Sequence, residues 1–564
     1  MANALFSFNP FNVNEIQSDS YESDESFHKW KQENKLPEEI ENLGPIESFC
    51  SKFSFYDETV DDQTAYFIGA EPALPPAPAV YQPPPTSAYV ALDDFHLYQT
   101  PLVETSRAEQ SPISSSSLQP LGNHARRFKK VKPEKDINQH GRRKLSTEEI
   151  MRVAGARYIE FSPQCIDDIF SFTQPYNSYL SSLSPEETVD VDLAHLLLAA
   201  AEKVGYRQYE RAGKLLTRCE WISSESGNPV QKVVHYFAQA LRERIDRETG
   251  RFVKTPAREE NPPAELDLGS NLVFLASHQE IPFNQVMQLA GIQAVLESVA
   301  SKTKIHLIDL QIRSGIQWTA LMQALVERVD HPVEQLKITA IGTNELQKME
   351  ETGKRLSSFA KSLNLPFAFK IILLSDMAEL AKEHFEIETG AAVIIYAQLI
   401  LRSMISRPER LECVMRVIKR LNPCLMAVVE VEANHNSPSF FNRFIEVLFF
   451  YSAYFDCLEE CTNRESLYRK VLEGKFFRDG IKNMVAAEGE ERYNRNVKMN
   501  VWRAFFERFG MVGLELSESA LYQAELIAKQ FACGNSCTLE REGKCLVVGW
   551  KGTPIHSLSI WKFR

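Results

Sequence analysis

The sequence predicts an α/β fold: a Rossmann-like, mostly parallel sheet with a helical cap, preceded by a disordered N-terminal region. Three observations carry this. Ile305, Leu307, Ile308, Leu310 and Ile312 form a short β-branched apolar run interrupted by His306 and Asp309, the pattern of a buried strand. After Gly315, the residues Trp318, Leu321, Met322, Leu325, Val326 and Val329 recur at helical spacing, so the stretch is a strand–turn–helix. Downstream, further apolar runs alternate with amphipathic segments, which implies parallel strands joined by right-handed crossovers.

The elements follow in order. Residues 1–120 show no sustained period and hold a proline-rich run, Pro72 to Pro85, and a serine tract, Ser114 to Ser117. Such a segment buries too little apolar area to offset its ordering entropy. It carries 19 acidic against 5 basic residues, interleaved with aromatics from Phe6 to Phe67. That composition suits either an acidic activation segment or a solvated linker. Residues 121–144 reverse the charge, to net +7. Arg126, Arg127, Lys129, Lys130 and Lys132 form one cluster, and Arg142, Arg143 and Lys144 a second. Two basic clusters on a polar spacer fit a bipartite nuclear import signal, with a solvated charge run as the plain alternative.

Leu145 to Tyr158 reads as a short helix capped by Ser146. The main folded region is expected from Ser184, where Ser184-Pro185-Glu186-Glu187 supplies a cap, an N-terminal proline and acid at the positive end of the dipole. Leu193, Leu196 and Leu197 form a stripe on this helix. Asn228-Pro229 opens another, striped by Val233, Val234, Phe237 and Leu241. These stripes are either internal core or a surface for a partner helix. Further helical segments are expected over 271–301, completing a cap over 184–300. Strands are expected at 305–311, 336–341, 367–374, 391–397 and 424–432. Helices are expected at 316–329, 344–363, 376–384 and 408–421. An aromatic helix covers Pro438 to Cys457, and closing strands cover 539–542, 545–550 and 557–563, with a hairpin around Gly543.

Composition narrows the function. No apolar run approaches the ~20 residues that span a bilayer, and the first residues lack the features of a signal peptide. The net charge of −12 speaks against general nucleic-acid binding. Cys457/Cys461 and Cys533/Cys537 are each four apart, but the ten cysteines show no metal framework and are expected as thiols of a reducing compartment. The turn after the first strand has one glycine, Gly315, and no G-x-G-x-x-G, so no cofactor is expected. No nucleophile–base–orienter set is visible either, so no catalytic or metal site is expected.

With these residues in view, the stretch Ser184 to Arg564 resembles the plant GRAS family of transcriptional regulators. The family's V-H-I-I-D signature stands here as Ile305-His306-Leu307-Ile308-Asp309, followed by Gly315, Gln317 and Trp318. A first leucine-rich region corresponds to 190–253, the V-H-I-I-D-like region to 272–337 and a second leucine-rich region to 347–384. A P-F-Y-R-E-like region corresponds to 394–485, with Arg464 and Glu465, and a S-A-W-like region to 488–564, with Trp502, Trp550 and Trp561. The departures are Ser559-Ile560-Trp561 for the closing triplet, Thr319 after Gln-Trp, and Ala397 to Leu401 without the family's histidine. The core looks nearest to the DELLA branch, although residues 1–120 contain neither D-E-L-L-A nor T-V-H-Y-N-P.

The resemblance implies a helical cap on a methyltransferase-like core and a non-enzymatic nuclear regulator. Its expected partners are other transcription factors, including a second GRAS protein docked through the cap, with DNA reached indirectly or weakly and no membrane contact. The competing readings are an S-adenosylmethionine-binding enzyme and a direct sequence-specific DNA binder. His306 and Asp309 are expected to satisfy buried neighbours, the tryptophans to anchor the core, and Arg464 with Glu465 to sit in an internal ion-pair site.

Overall fold

A computed structural model describes residues 121, 144–160, 183–252, 273, 275–343 and 346–564. The acidic region 1–120 and the basic residues Arg126, Arg127, Lys129, Lys130, Lys132, Arg142 and Arg143 lie outside the described residues. Lys144 is described; its ammonium pairs with Glu186 at 3.2 Å on the surface.

Helix α1 spans Thr147–Glu160. Ser146 and Glu149 exchange side-chain and backbone hydrogen bonds at its start, as the sequence predicts. Ile150, Met151, Val153 and Ala154 sink into the main core. The folded unit therefore begins well before Ser184, because α1 has its own apolar face to bury. Helix α2 (Pro185–Gly205) follows a full capping box between Ser184 and Glu187. Helices α3 (Tyr209–Ile222) and α4 (Pro229–Glu248) complete this group, with a second capping box between Asn228 and Gln231.

The leucine-rich stripes resolve against the partner-helix reading. Leu193, Leu196, Leu197, Val233, Val234, Phe237 and Leu241 are all buried in the main core. What covers them comes from far along the chain. The aromatic helix packs on α1, α2 and α4, and the helix at 478–485 packs on α4. The cap is thus not the continuous segment 184–300: its own apolar faces are closed by chain from beyond residue 440.

Helix α5 (Pro282–Ser298) packs on the sheet instead of the cap helices. From there the alternation holds: β1 (Lys304–Asp309), α6 (Ile316–Val326), β2 (Gln335–Gly342), α7 (Leu346–Ser362), β3 (Phe367–Leu373), β4 (Ala392–Gln398), α8 (Pro408–Leu421) and β5 (Leu425–Val431). No α-helix forms over 376–384; two single 3₁₀ turns stand there, at Met377–Glu379 and Lys382–His384. Asp376 caps the first turn and pairs with Arg410, and only Met377 and Leu380 reach the core, too few for a continuous helical face.

The chain continues through α9 (Phe440–Cys461), α10 (Leu467–Val471), a π-helical turn (Leu472–Phe477), α11 (Arg478–Val485), α12 (Met499–Arg508), β6 (Met511–Leu514), α13 (Glu518–Gln530), β7 (Cys537–Glu542), β8 (Cys545–Trp550) and β9 (Thr553–Phe563). The strand order is β3-β2-β1-β4-β5-β9-β8-β7, with β6 also on β9. The first five strands are parallel, and β9 joins β5 antiparallel. This is a Rossmann-like, methyltransferase-like sheet. It separates two cores. Ile305 and Leu307 face the larger one with α5, α6 and the cap; Ile308 faces the smaller one with α8 and α12. Cys461 and Cys533 are joined as a disulfide, against the expectation that all ten cysteines are thiols.

Candidate functional site

Strand order reverses between β1 and β4, so ligands of an open α/β sheet would enter at the carboxyl ends of these two strands. Asp309 closes β1 there. Its carboxylate accepts the Gln311 backbone N–H at 3.1 Å and the Trp318 indole N–H at 3.0 Å. Burial pushes the Asp309 carboxyl up to about 6, and those two donors oppose the shift. The Trp318 ring stands edge-on to Tyr396 at 4.8 Å. The Tyr396 hydroxyl donates to the Gln398 side-chain oxygen at 3.1 Å, and Gln288 of α5 donates to the same oxygen at 3.1 Å. His306 points to the opposite face, where its ring meets Thr339 at 2.8 Å. Burial pulls that imidazole down to about 4, so it is neutral near pH 7.

The turn after β1 is filled rather than open. Gly315 has φ of +65°, and a Cβ added there would lie 3.0 Å from Thr352 and 3.2 Å from Leu356 of α7. Thr352 also donates to the Arg313 carbonyl at 3.0 Å. A pyrophosphate or adenosyl group needs backbone approach at this turn. Here α7 side chains occupy that approach, Gln317 is buried, and both Asp309 oxygens are engaged. The residues present do not fit an adenosyl cofactor. Among the described residues, no group of three or more His, Cys, Asp or Glu side chains is placed to hold a metal, and no helix is long and apolar enough to cross a membrane.

A second polar cluster lies at the end of β5. The Glu430 carboxylate accepts the backbone N–H groups of Leu401 and Arg402, at 2.8 and 3.3 Å. It thereby holds a turn in which Leu399 takes a left-handed φ of +56°, costly for a branched side chain. This turn is the Ala397 to Leu401 stretch that departs from the family pattern. Arg402 reaches Asn496, whose amide meets the His435 ring at 2.7 Å. Glu432 accepts the Met499 N–H at 3.0 Å, at the start of α12. Nearby, the buried guanidinium of Arg443 pairs with Glu488, which also takes Arg244 of the cap at 2.8 Å; Arg443 donates to the Ser437 and Met484 carbonyls as well. One carboxylate thus ties cap to core.

Burial pushes both Glu430 and Glu432 up to about 7. A carboxyl raised in the folded state holds a proton that the unfolded chain, at about 4.5, has lost. Its stabilising contribution is full below pH ~4.5 and is lost as pH rises through ~7. Glu430→Gln is therefore expected to remove part of the loss in stability between pH 5 and 8, by about 2–3 kcal/mol. Denaturant midpoints across that range measure it; parallel profiles for variant and wild type would refute the assignment.

The remaining signature residues separate into two groups. Trp550 donates to Asp456 at 2.7 Å and Trp561 to Ser559 at 2.8 Å, both as buried anchors. Trp502 is also buried and stacks on Phe506, yet its indole N–H has no partner among the described residues. Arg464 and Glu465 are not internal: Arg464 pairs with Glu459 and Glu465 with Lys470, at the surface. They sit exposed in the loop before α10. Asp456 and Glu430 were missed as site residues, although a carboxylate inside an aromatic helix and another inside an apolar strand were legible signals.

Residues 193–562 match the GRAS domain family. This chain belongs to the GRAS domain family. The GRAS chain is 31% identical over 381 residues to the DELLA protein RGL1 of Arabidopsis thaliana, covering 67% of this chain and 71% of that one. It is 30% identical over 385 residues to the DELLA protein GAI1 of Vitis vinifera, covering 67% of this chain and 63% of that relative's length. The solved structure of SCL7 from Oryza sativa superposes with a TM-score of 0.58 at 26% identity, over 66% of this chain and 99% of that one. In this GRAS chain the V-H-I-I-D-like residues lie with Ile305 and Leu307 in one core, Ile308 in the other, His306 on Thr339 and Asp309 on Trp318.

Proposed function

We propose that this GRAS chain is a nuclear regulator of transcription that acts by protein–protein contact and reaches DNA through DNA-binding partners. The observation that carries the reading is the family match over residues 193–562, beside a switch point where Thr352 and Leu356 pack on Gly315 and Trp318 engages Asp309. The two basic clusters at Arg126–Lys132 and Arg142–Lys144 support nuclear entry, and the acidic, aromatic region 1–120 supports contact with the transcription machinery. Alanine at Arg126, Arg127, Lys129, Lys130, Arg142 and Arg143 is expected to shift a fluorescent fusion of the full chain from nucleus to cytoplasm. Unchanged nuclear entry would refute the import assignment.

The docking surface in this reading is not the leucine stripes, which are buried. It is the far end of the cap, where Trp221 is 89% exposed and Ile222 and Val189 of the paired α3 and α2 are exposed too, and Asn228 donates to Asp190. A bare tryptophan with aliphatic neighbours is the composition of an interface centre. The occupant is a second GRAS-type chain. Trp221→Ser with Ile222→Ser is expected to weaken that pairing at least tenfold while leaving the melting temperature unchanged, read by light scattering at tens of micromolar. A wild-type chain that stays monomeric and binds no GRAS chain defeats this surface without touching the import result.

A further inference from the structure

The sequence holds two cysteine pairs of the same spacing, Cys457/Cys461 and Cys533/Cys537, with Cys461 and Cys533 72 positions apart. The fold brings both pairs to one corner. Cys461 ends α9, and Cys533 lies in the turn between α13 and β7. Their Cα atoms are 5.7 Å apart, within the span a disulfide bridges, and their sulfurs are bonded. The Cys457 sulfur sits 3.6 Å from that of Cys461, and Cys537 opens β7, paired with Trp550 of β8.

We propose that Cys461 and Cys533 are a redox modification site, a reversible latch that fastens the α13–β7 turn to the end of α9. Four segments meet here. Asp456, the residue before Cys457, accepts the Thr147 N–H of α1 and the Trp550 indole, and pairs with Lys551. Lys551 also pairs with Glu460, which takes the Ser536 hydroxyl at 2.7 Å, and the Lys551 N–H donates to the Ser536 carbonyl at 2.8 Å. The latch therefore closes beside the junction of cap, sheet and α1. Cys461 is partly exposed, so a small oxidant reaches the pair, whereas Cys457 is wholly buried.

The oxidant is of the disulfide class, glutathione disulfide being the probe. A thiolate of the pair attacks one glutathione sulfur and releases glutathione, giving a mixed disulfide. The second protein thiolate attacks the sulfur of that cysteine and releases the other glutathione. Two thiols are oxidised, one glutathione disulfide is reduced to two glutathiones, and the two thiol protons leave with them. Burial pushes the Cys457 thiol well up, so it stays protonated and does not divert the bond, since the thiolate is the nucleophile. A thiol latch of this kind responds to the redox poise of its compartment.

The test uses the full chain, equilibrated with glutathione disulfide or with dithiothreitol, then alkylated and digested. A Cys461–Cys533 cross-link is expected only under oxidation, with Cys457 recovered as a thiol. Oxidation is expected to raise the melting temperature by about 5 °C and to slow hydrogen exchange over 531–542 and 147–152. Cys533→Ser is expected to lose both effects and to match reduced wild type, with its circular dichroism matching that of reduced wild type as the check on folding. Any of three results overturns the proposal: no cross-link at saturating oxidant, a cross-link between Cys457 and Cys461, or one bound zinc per chain whose removal by a chelator accounts for the melting shift.

Discussion

Trp318→Ala is expected to destabilise the protein by about 5 kcal/mol, close to the whole stability of many domains. Trp318 is fully buried among the largest core side chains, edge-on to Tyr396. Truncating a buried tryptophan costs roughly 3–5 kcal/mol in cavity and lost transfer energy. The indole N–H adds to this, because Asp309 is wholly buried and would lose one of its two donors. An acceptor stranded in this way costs a further ~1–3 kcal/mol. Trp318→Phe separates the two parts: most of the volume stays and the donor goes, so about 2 kcal/mol is expected. Denaturant unfolding of the full chain measures both. If the alanine variant loses under 1 kcal/mol, the ring is not the anchor of this corner.

Asp456→Ala is expected to cost about 3–5 kcal/mol, the range for breaking a buried ion pair from one side. The side chain is buried inside the aromatic helix α9, where it accepts from the Thr147 backbone at 2.8 Å and from Trp550 at 2.7 Å, and pairs with Lys551 at 2.7 Å. Burial alone would lower the Lys551 ammonium, but Asp456 and Glu460 beside it hold it raised. Removing the carboxylate leaves the half-hidden Lys551 cation with Glu460 alone, and the Trp550 indole unpaired. Adding Lys551→Met to Asp456→Ala removes the half-buried cation that has lost one of its two carboxylates and is expected to recover at least 1 kcal/mol. A strictly additive double mutant would show that the two groups are not coupled.

The sequence by itself determined whatever depends on local period and local chemistry. The short β-branched run of Ile305, Leu307 and Ile308, broken only by His306 and Asp309, was enough for β1, since a strand buried on both faces reads as a near-continuous apolar run. Ser184 and Asn228 announced their helices because a capping side chain acts within three residues of itself. The absence of a glycine fingerprint was likewise legible, and Gly315 proved to be pressed against Thr352 and Leu356. The family blocks from Ile305 to Trp561 lay in plain view.

Tertiary structure alone decided which apolar faces are covered, because covering is a relation between distant segments. Leu193, Val233 and Phe237 have the same stripe whether they meet a partner or α9, and nothing within 184–300 shows that α9 and α11 arrive from beyond residue 440. The same holds for carboxylates. Arg464 and Glu465 looked like an internal pair and lie at the surface, while Asp456 and Glu430 sat inside apolar elements and became hubs. Cys461 and Cys533, 72 residues apart, meet because α13 returns the chain to the end of α9. Period and capping act over a few residues, whereas burial and pairing are settled only when the sheet order brings the ends of β1, β4, β5 and β8 beside the helices that cover them.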